Sequence, residues 1–200
     1  MTELDSHADT CCFGRGARVV QETGETIQVE PFINTIGRVT NVPVVTAAVA
    51  YDDPATFQTY ILFFPQSLYM EALDKNLLNP NQMRNHQVTV NELPLSYTPH
   101  DERTTETHSI ITRAPEHKPM HIPLQLEGVI SNFETRKPTQ REVETEDDCI
   151  HIWMTSEVEW RPSEKSLGMI EDKIRASLDG KEVQRDRSIH AFSTVDWTHD

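Results

Sequence analysis

The feature that most constrains the fold is a pair of apolar runs rich in strand-forming residues. Residues 42–51 have the sequence VPVVTAAVAY, and residues 56–64 have the sequence TFQTYILFF. The second run alternates at its start and then becomes continuously apolar, which is typical of a strand buried on both faces. Turn signals such as ETGET and YDDPAT separate these and the shorter runs ARVV and TIQVEPFI. The pattern predicts a mainly β domain of short antiparallel strands.

Charged residues divide the chain into two unequal halves. Residues 1–100 carry 16 Asp, Glu, Lys and Arg side chains, whereas residues 101–200 carry 34. We therefore expect a folded domain over residues 1–99 and a polar C-terminal extension over residues 100–200. The extension contains one clear helix at about residues 164–179, whose apolar positions recur at helical spacing: Leu167, Ile170, Ile174 and Leu178.

Composition argues against several classes of protein. The formal net charge of −14 would repel a phosphate backbone, so we expect no direct nucleic-acid binding. No apolar run reaches the roughly 18 residues of a membrane span, and the first ten residues do not resemble a signal peptide. Three cysteines, two of them adjacent, do not form a disulfide framework. We expect a cytoplasmic or other intracellular protein that does not bind a membrane.

The opening stretch MTELDSHADTCCFG concentrates reactive side chains. His7, Asp9 and Cys11 alternate and would share one face of a strand. Zinc sites, however, commonly use spaced pairs such as CxxC, and the sequence contains no such pair, so we expect no metal. A nucleophilic Cys11 or Cys12 would need an electropositive setting, which Asp9 opposes. We interpret both cysteines as small buried residues.

The same stretch contains a candidate for acid–base chemistry. Neighbouring hydroxyl and backbone N–H groups can keep the carboxyl of Asp5 ionised, and a second carboxylate close by raises one pKa of the pair. Such a pair activates water for attack on a peptide carbonyl. From the residues alone, the alternative of a turn aspartate that caps backbone N–H groups stays open and is the more frequent arrangement.

Two motifs add a family resemblance. LDSHADT resembles the L-D-[ST]-G-A-[DST] signature of retroviral-type aspartic proteases. About 70 residues later, NLLNPNQMRNHQVTVN resembles the family's second landmark, an apolar pair and a Gly followed by a short helix and a last strand. PFINTIGRVTNVPVV, at residues 31–45, is similar to the flap hairpin. The likeness is closest to the protease region of copia-type retrotransposon polyproteins, over roughly residues 3–165.

Residues 80–85 predict one or two turns of helix, because Pro80 suits a first helical turn and Asn79 suits an N-cap. The resemblance implies a retropepsin-like closed β-barrel that contains this one short helix. It implies no cofactor. It assigns the catalytic role to Asp5, and it makes Ser6 the hydroxyl residue that braces the active-site loop across a dimer. Ala8 matches the following small residue. Asp9 matches an acid that has a structural role or contacts the substrate.

The second landmark and one further position complete the match. Leu77 and Leu78 match the apolar pair that packs behind the active-site loop. Asn79 stands where the landmark has Gly, and asparagine tolerates a left-handed backbone better than most residues. His7 stands where the signature has Gly, which allows a tight loop. We expect His7 to support the active site by a hydrogen bond to the carboxylates.

One Asp motif per chain implies an aspartic endopeptidase that is active as a homodimer, with a peptide or polyprotein as its substrate. The two Asp5 carboxylates would titrate as a coupled pair. The alternative expectation is a truncated or decayed, inactive fragment that acts as a protein-binding module. This alternative follows from three departures from the family pattern. His7 and Asn79 each stand in place of a Gly, and only four residues precede Asp5, where the family has an earlier strand.

Overall fold

The structure, a computed structural model, describes residues 1–30, 37–113, 119–179 and 195–196. Its helices are α1 (Pro80–Arg84), α2 (Gln140–Glu144) and α3 (Lys165–Asp179). Two short 3-10 turns lie at Leu95–Tyr97 and His100–Glu102. The strands are β1 (Thr2–Leu4), β2 (Cys12–Phe13), β3 (Arg18–Val29), β4 (Val39–Asp52), β5 (Thr59–Tyr69), β6 (Asn76–Leu78), β7 (Thr89–Asn91), β8 (Ser109–Arg113), β9 (Pro119–Pro123), β10 (Gln125–Glu127), β11 (Ile130–Phe133), β12 (Cys149–Trp153) and β13 (Val195–Asp196).

The two apolar runs form the centre of the main sheet. They become β4 and β5, which pair antiparallel with Val49 opposite Leu62 and Ala50 opposite Ile61. All four of these side chains are buried, because β5 lies between β4 and other strands and both faces are covered. The mainly β class predicted from the sequence is therefore confirmed.

The main sheet has an open strand order, and the predicted closed barrel is not found among the described residues. Within the described residues the order is β10-β11-β1-β6-β2-β5-β4-β3-β13, and β12 pairs with β5 off this path. A barrel closes only when its two end strands pair with each other. Here one end is the short, fully exposed β10, and the other end is β13 beside the long β3. A second sheet has the order β7-β8-β9.

The hairpin formed by β3 and β4 occupies the position of the predicted flap. Its register shifts three times, between Val19 and Gln21, between Glu22 and Thr26, and between Ile27 and Val29, and such bulges strengthen the local twist. Of the predicted flap segment 31–45, residues 31–36 lie outside the described residues, and residues 39–45 belong to β4. The flap assignment stays a prediction.

β6 lies between the two strands that border the first loop of the chain. It pairs parallel with β1, with Glu3 opposite Leu77, and antiparallel with β2, with Cys12 opposite Leu77. β1 and β2 are consecutive in sequence but are separated in the sheet by this third strand. The loop that joins them, residues 5–11, must therefore cross over the end of β6.

The C-terminal half contributes strands to the same sheet as the N-terminal half. β11 pairs antiparallel with β1, and β12 pairs parallel with β5. The division at residue 99 stays a prediction, but strands from both sides of it share hydrogen bonds. α3 lies where the sequence predicts a helix, and its apolar residues Leu167, Ile170, Ile174 and Leu178 are exposed.

The largest core cluster combines residues from both halves. The rings of Phe13 and Phe64 lie 5.0 Å apart, and Phe133, Ile152 and Met154 of the C-terminal half are fully buried in the same cluster.

Among the described residues, no helix has the length and apolar character needed to cross a membrane.

Candidate active site

The loop of residues 5–9, named here the Asp5 loop, starts at the end of β1. The backbone N–H of Asp5 donates to the carbonyl oxygen of Leu78 (2.9 Å), which fixes the loop to β6. The Oδ1 atom of Asp5 accepts hydrogen bonds from the backbone N–H groups of His7 (2.9 Å) and Ala8 (3.3 Å). This is an Asx-type turn, and it orients the carboxylate. The Asp5 side chain remains 34% exposed, so a substrate can reach it.

His7 is accommodated by the loop without a left-handed backbone. His7 is not among the residues other than Gly that have a positive φ in the described chain, which are Asn41, Phe57, Gln66, Gln87 and His108. The His7 side chain is 93% exposed, and its Nδ1 lies 3.9 Å from Oδ1 of Asp5. That distance is too long for a hydrogen bond, so the imidazole does not bond to the carboxylate here. His7 contributes a hydrogen bond to Asp5 through its backbone N–H instead.

The other loop residues take different environments. Ser6 is exposed at the crest of the loop, and Ala8 and Asp9 are half-buried. The carbonyl oxygen of Ala8 accepts a hydrogen bond from the side-chain amide of Asn79. The carbonyl oxygen of Asp9 accepts one from Nε1 of Trp160 (2.8 Å). The second half of the loop is therefore held by two side chains that are distant in sequence.

Asn79 connects the loop to α1. It is the N-cap that the sequence predicts: its side chain accepts a hydrogen bond from the backbone N–H of Gln82 (2.6 Å). Its φ of −80° and ψ of 115° are extended, so no left-handed backbone is required there. Oδ1 caps the helix while Nδ2 holds Ala8. One amide side chain therefore couples the start of α1 to the Asp5 loop.

The segment after the loop is also anchored to α1. The backbone N–H of Cys11 donates to Oε1 of Gln82 (2.8 Å), and Sγ of Cys11 accepts from the backbone N–H of Asn79 (3.2 Å). Gln82 is buried and donates its Nε2 to the carbonyl oxygen of Gln66 (2.8 Å). Buried polar groups must be satisfied, and Gln82 satisfies backbone groups of two separate segments.

The cysteines are buried and protonated. Desolvation by burial raises the pKa of Cys11 and of Cys12 to about 12. It is also the main cause that raises the pKa of Cys149, ahead of the nearby acids Glu142 and Glu146. A thiol that stays protonated is a poor nucleophile, because the thiolate is the reactive form. Among the described residues, no group of three or more His, Cys, Asp or Glu side chains is arranged to hold a metal ion.

Asp5 opens onto a groove of about 460 Å³, named here the Asp5 groove. Asp5, Ser6 and His7 line its base, and Leu77 lines it from β6. That volume lies within the roughly 300–1,000 Å³ of ligand pockets. Leu78, the second residue of the apolar pair, is fully buried behind the loop. Leu77 is half-buried and also packs against a second core cluster, so both residues of the pair contribute to packing.

Several residues at this site were not identified from the sequence. Two of them, Gln82 and Trp160, hold the segment around Asp5 by hydrogen bonds to its backbone. The others line the groove: Glu92, Pro94, Val129, Ile130 and Ser131. Trp160 lies 151 residues from Asp9, and no local pattern signals such a contact. The sequence does contain a turn signal at Gly128, between QLE and VISNF, which indicates a hairpin but not its neighbour.

No family model, curated protein or solved structure matches this chain. What the Asp5 groove does is therefore argued from its residues, its geometry and the motif resemblance.

Proposed function

We propose that this chain is a retropepsin-like aspartic endopeptidase that acts as a two-fold homodimer. The observation that carries the proposal is the Asp5 carboxylate. It is oriented by two backbone N–H groups of its own loop, it is one-third exposed, and it opens onto a groove of about 460 Å³. The resemblance to copia-type polyproteins supports a polyprotein as the natural substrate.

The chain topology around Asp5 supports the proposal. The loop joins β1 to β2, β6 lies between them, and α1 follows β6 directly. The two sequence landmarks thus meet in space: the backbone N–H of Asp5 bonds to Leu78, and Asn79 bonds to Ala8. The meeting of LDSHADT with NLLN is what the family resemblance requires of an active site.

The mechanism needs two carboxyl groups, and each chain supplies one at this site. In the dimer, one ionised Asp5 accepts a proton from a water molecule, whose oxygen attacks the scissile carbonyl carbon. The other Asp5 is protonated and donates a hydrogen bond to the carbonyl oxygen. The tetrahedral intermediate then collapses, the C–N bond breaks, and the leaving nitrogen takes a proton from the dyad. Ser6 is exposed, and in the proposed dimer it would brace the paired loops.

The test is the Asp5→Asn variant. Asparagine keeps the side-chain oxygen that accepts the loop amides, so we expect an unchanged fold and complete loss of peptide cleavage. Asp74→Asn is the matched control, because Asp74 is an exposed acid paired with Arg15. Wild-type specific activity should fall on dilution, in step with dimer dissociation measured by light scattering. Cleavage that survives Asp5→Asn, or full activity of a monomer, would contradict the proposal.

The second candidate function is a peptide-binding module without catalysis. The observation that favours it is His7, whose imidazole stands 3.9 Å from the Asp5 carboxylate, at the position where the family signature has Gly. Peptide binding by the wild type, without cleavage at any pH at which the fold is stable, would favour this function.

A further inference from the structure

The hairpin of β10 and β11, residues 125–133, brings a C-terminal segment to the Asp5 loop. β11 pairs antiparallel with β1, with Thr2 opposite Phe133 and Glu3 opposite Asn132. The same register continued by two residues places Ile130 opposite Asp5. Gly128 provides the turn with a φ of +63°. The tip of this 125–133 hairpin is therefore delivered to the groove by backbone pairing.

The tip carries apolar side chains that do not join the core. Val129 is 89% exposed and Ile130 is 43% exposed, whereas Ser131, Asn132 and Phe133 of the same strand are buried. Both residues line the Asp5 groove. Exposed apolar residues gathered at a concave site mark a surface that binds a ligand.

The acids around the groove already have cationic partners. Glu92 pairs with Arg84 (3.3 Å), and the largely buried Glu3 pairs with Lys75. Their charge is offset within the fold, so they create little demand for a cationic ligand. The groove lining beside Asp5 combines the polar Ser6, His7 and Ser131 with four apolar residues: Val129, Ile130, Leu77 and Pro94.

We propose that Val129 and Ile130 of the 125–133 hairpin determine specificity, by contacting an apolar side chain of a peptide bound in the Asp5 groove. The ligand is a peptide with an aliphatic or aromatic residue beside the bond that faces Asp5. This inference rests on the proposed function, which identifies the bond facing Asp5 as the one that is cleaved. The contact itself is a binding property and can be measured without catalysis.

The binding test uses the full chain carrying Asp5→Asn, so that no peptide is consumed. The probes are fluorescent peptides that differ at one central residue: Leu, Phe, Gln or Lys. We expect Leu and Phe peptides to bind more tightly than Gln and Lys peptides. Adding Val129→Gln and Ile130→Gln should reduce the Leu-over-Gln preference by at least about tenfold, the effect of a few methylene contacts in a pocket.

Matched controls separate recognition from folding. Gln is neutral, so it does not alter the field at residue 5. Val158→Gln is the control variant, because Val158 is a valine exposed by 75% that does not line the Asp5 groove. It should leave the Leu-over-Gln preference unchanged. Circular dichroism of each variant should match that of the parent chain, since Val129 has almost no burial to lose.

Failure of the inference and failure of the proposed function are distinguishable. If the wild type cleaves peptides and Val129→Gln/Ile130→Gln changes neither the cleavage preference nor binding, the inference is overturned and the protease function stands. If the wild type cleaves nothing but the double variant loses its Leu preference in binding, the inference stands and the protease function fails. Equal binding of all four peptides to the parent chain overturns the inference.

Discussion

The Asp5 loop and the segment that directly follows it, residues 10–13, are neighbours in sequence but opposites in environment. In the loop, the Asp5 side chain is 34% exposed and that of His7 is 93% exposed. In the following segment, Thr10, Cys11, Cys12 and Phe13 are all buried. The loop exposes polar side chains, and the buried segment that follows anchors it to the core.

The contrast shows how an exposed loop can be well defined. Little of the loop's own surface is buried, so packing alone cannot order it. Its order comes from hydrogen bonds to Leu78, Asn79 and Trp160, all of which are buried. Functional groups held by such a second layer keep their geometry without being covered.

The largest expected effect is on thiol reactivity in the buried segment. Burial raises the pKa of Cys11 and Cys12 from 9.0 to about 12, so near pH 8 alkylation by iodoacetamide should be about a thousandfold slower than for a free thiol. The folded pKa lies above the unfolded one, so this contribution to stability is complete below pH 9 and is lost as the pH rises towards 12. Mass spectrometry after timed labelling measures the rate. Rapid labelling of either residue in the folded chain would show that the segment is open.

Gly14→Ala should be the most destabilising substitution. A Cβ at residue 14 would lie 2.0 Å from the carbonyl oxygen of Leu73, and that oxygen belongs to backbone that cannot rotate away. We expect a loss of about 3 kcal/mol in the free energy of unfolding, typical of overpacking at a rigid site. Urea denaturation is the measurement. Gly16→Ala is the control, because its nearest neighbour would lie 3.8 Å away; equal stability of the two variants would refute this account.

Asn79→Ala removes the connection between α1 and the Asp5 loop. The variant loses the N-cap of α1 and the hydrogen bond to Ala8, so we expect about 2 kcal/mol of destabilisation. Asn79→Asp keeps an acceptor for the cap but has no donor for Ala8, and it should lose about half as much. Thermal unfolding and peptide cleavage should be measured together. If Asn79→Asp is as stable and as active as the wild type, the contact with Ala8 has no role.

Trp160→Phe tests the hydrogen bond that holds the Asp5 loop from the most distant position in the sequence. Phenylalanine retains most of the buried aromatic surface but cannot donate to the carbonyl oxygen of Asp9, so we expect about 1 kcal/mol of destabilisation. Amide hydrogen exchange over residues 5–9 should become faster. Trp153→Phe is the control, because the Trp153 ring stacks on Phe63 with centroids 4.7 Å apart. Equal acceleration in both variants would indicate a general loosening of the C-terminal half.

The smallest effect on stability is expected in the exposed loop itself. His7→Ala removes a side chain that is 93% exposed, so the free energy of unfolding should change by less than about 0.5 kcal/mol. Peptide cleavage should nevertheless change, because Nδ1 of His7 lies 3.9 Å from Oδ1 of Asp5. Unchanged cleavage kinetics would remove His7 from the active site.

Local features of the fold could be predicted from the sequence. The runs at residues 42–51 and 56–64 predict the strands observed as β4 and β5, because the apolar pattern within each run reflects how its side chains pack in one sheet. Asn79 before Pro80 predicts the start of α1, because capping is decided by residues three apart in the chain. The spacing of Leu167, Ile170, Ile174 and Leu178 likewise predicts α3. Each of these signals lies within one element.

The strand order could not be predicted in the same way. The closed barrel was expected because short strands and a family resemblance suggest closure, and the open order from β10 to β13 depends on pairings between residues far apart in sequence. β11 beside β1 is one such pairing, with Thr2 opposite Phe133. Its register follows from the burial of Phe133 together with Leu4, which no local window contains.

The sequence by itself determined the strands, the cap of α1 and a single candidate for acid–base chemistry, Asp5. Short-range signals suffice for these, because periodicity, capping and turn formation act over a few residues. Only the tertiary structure decided that Gln82 and Trp160 hold the segment around Asp5 and that Val129 and Ile130 stand beside it. Those contacts satisfy buried backbone groups and build a concave surface. Both requirements arise only once distant segments are packed together.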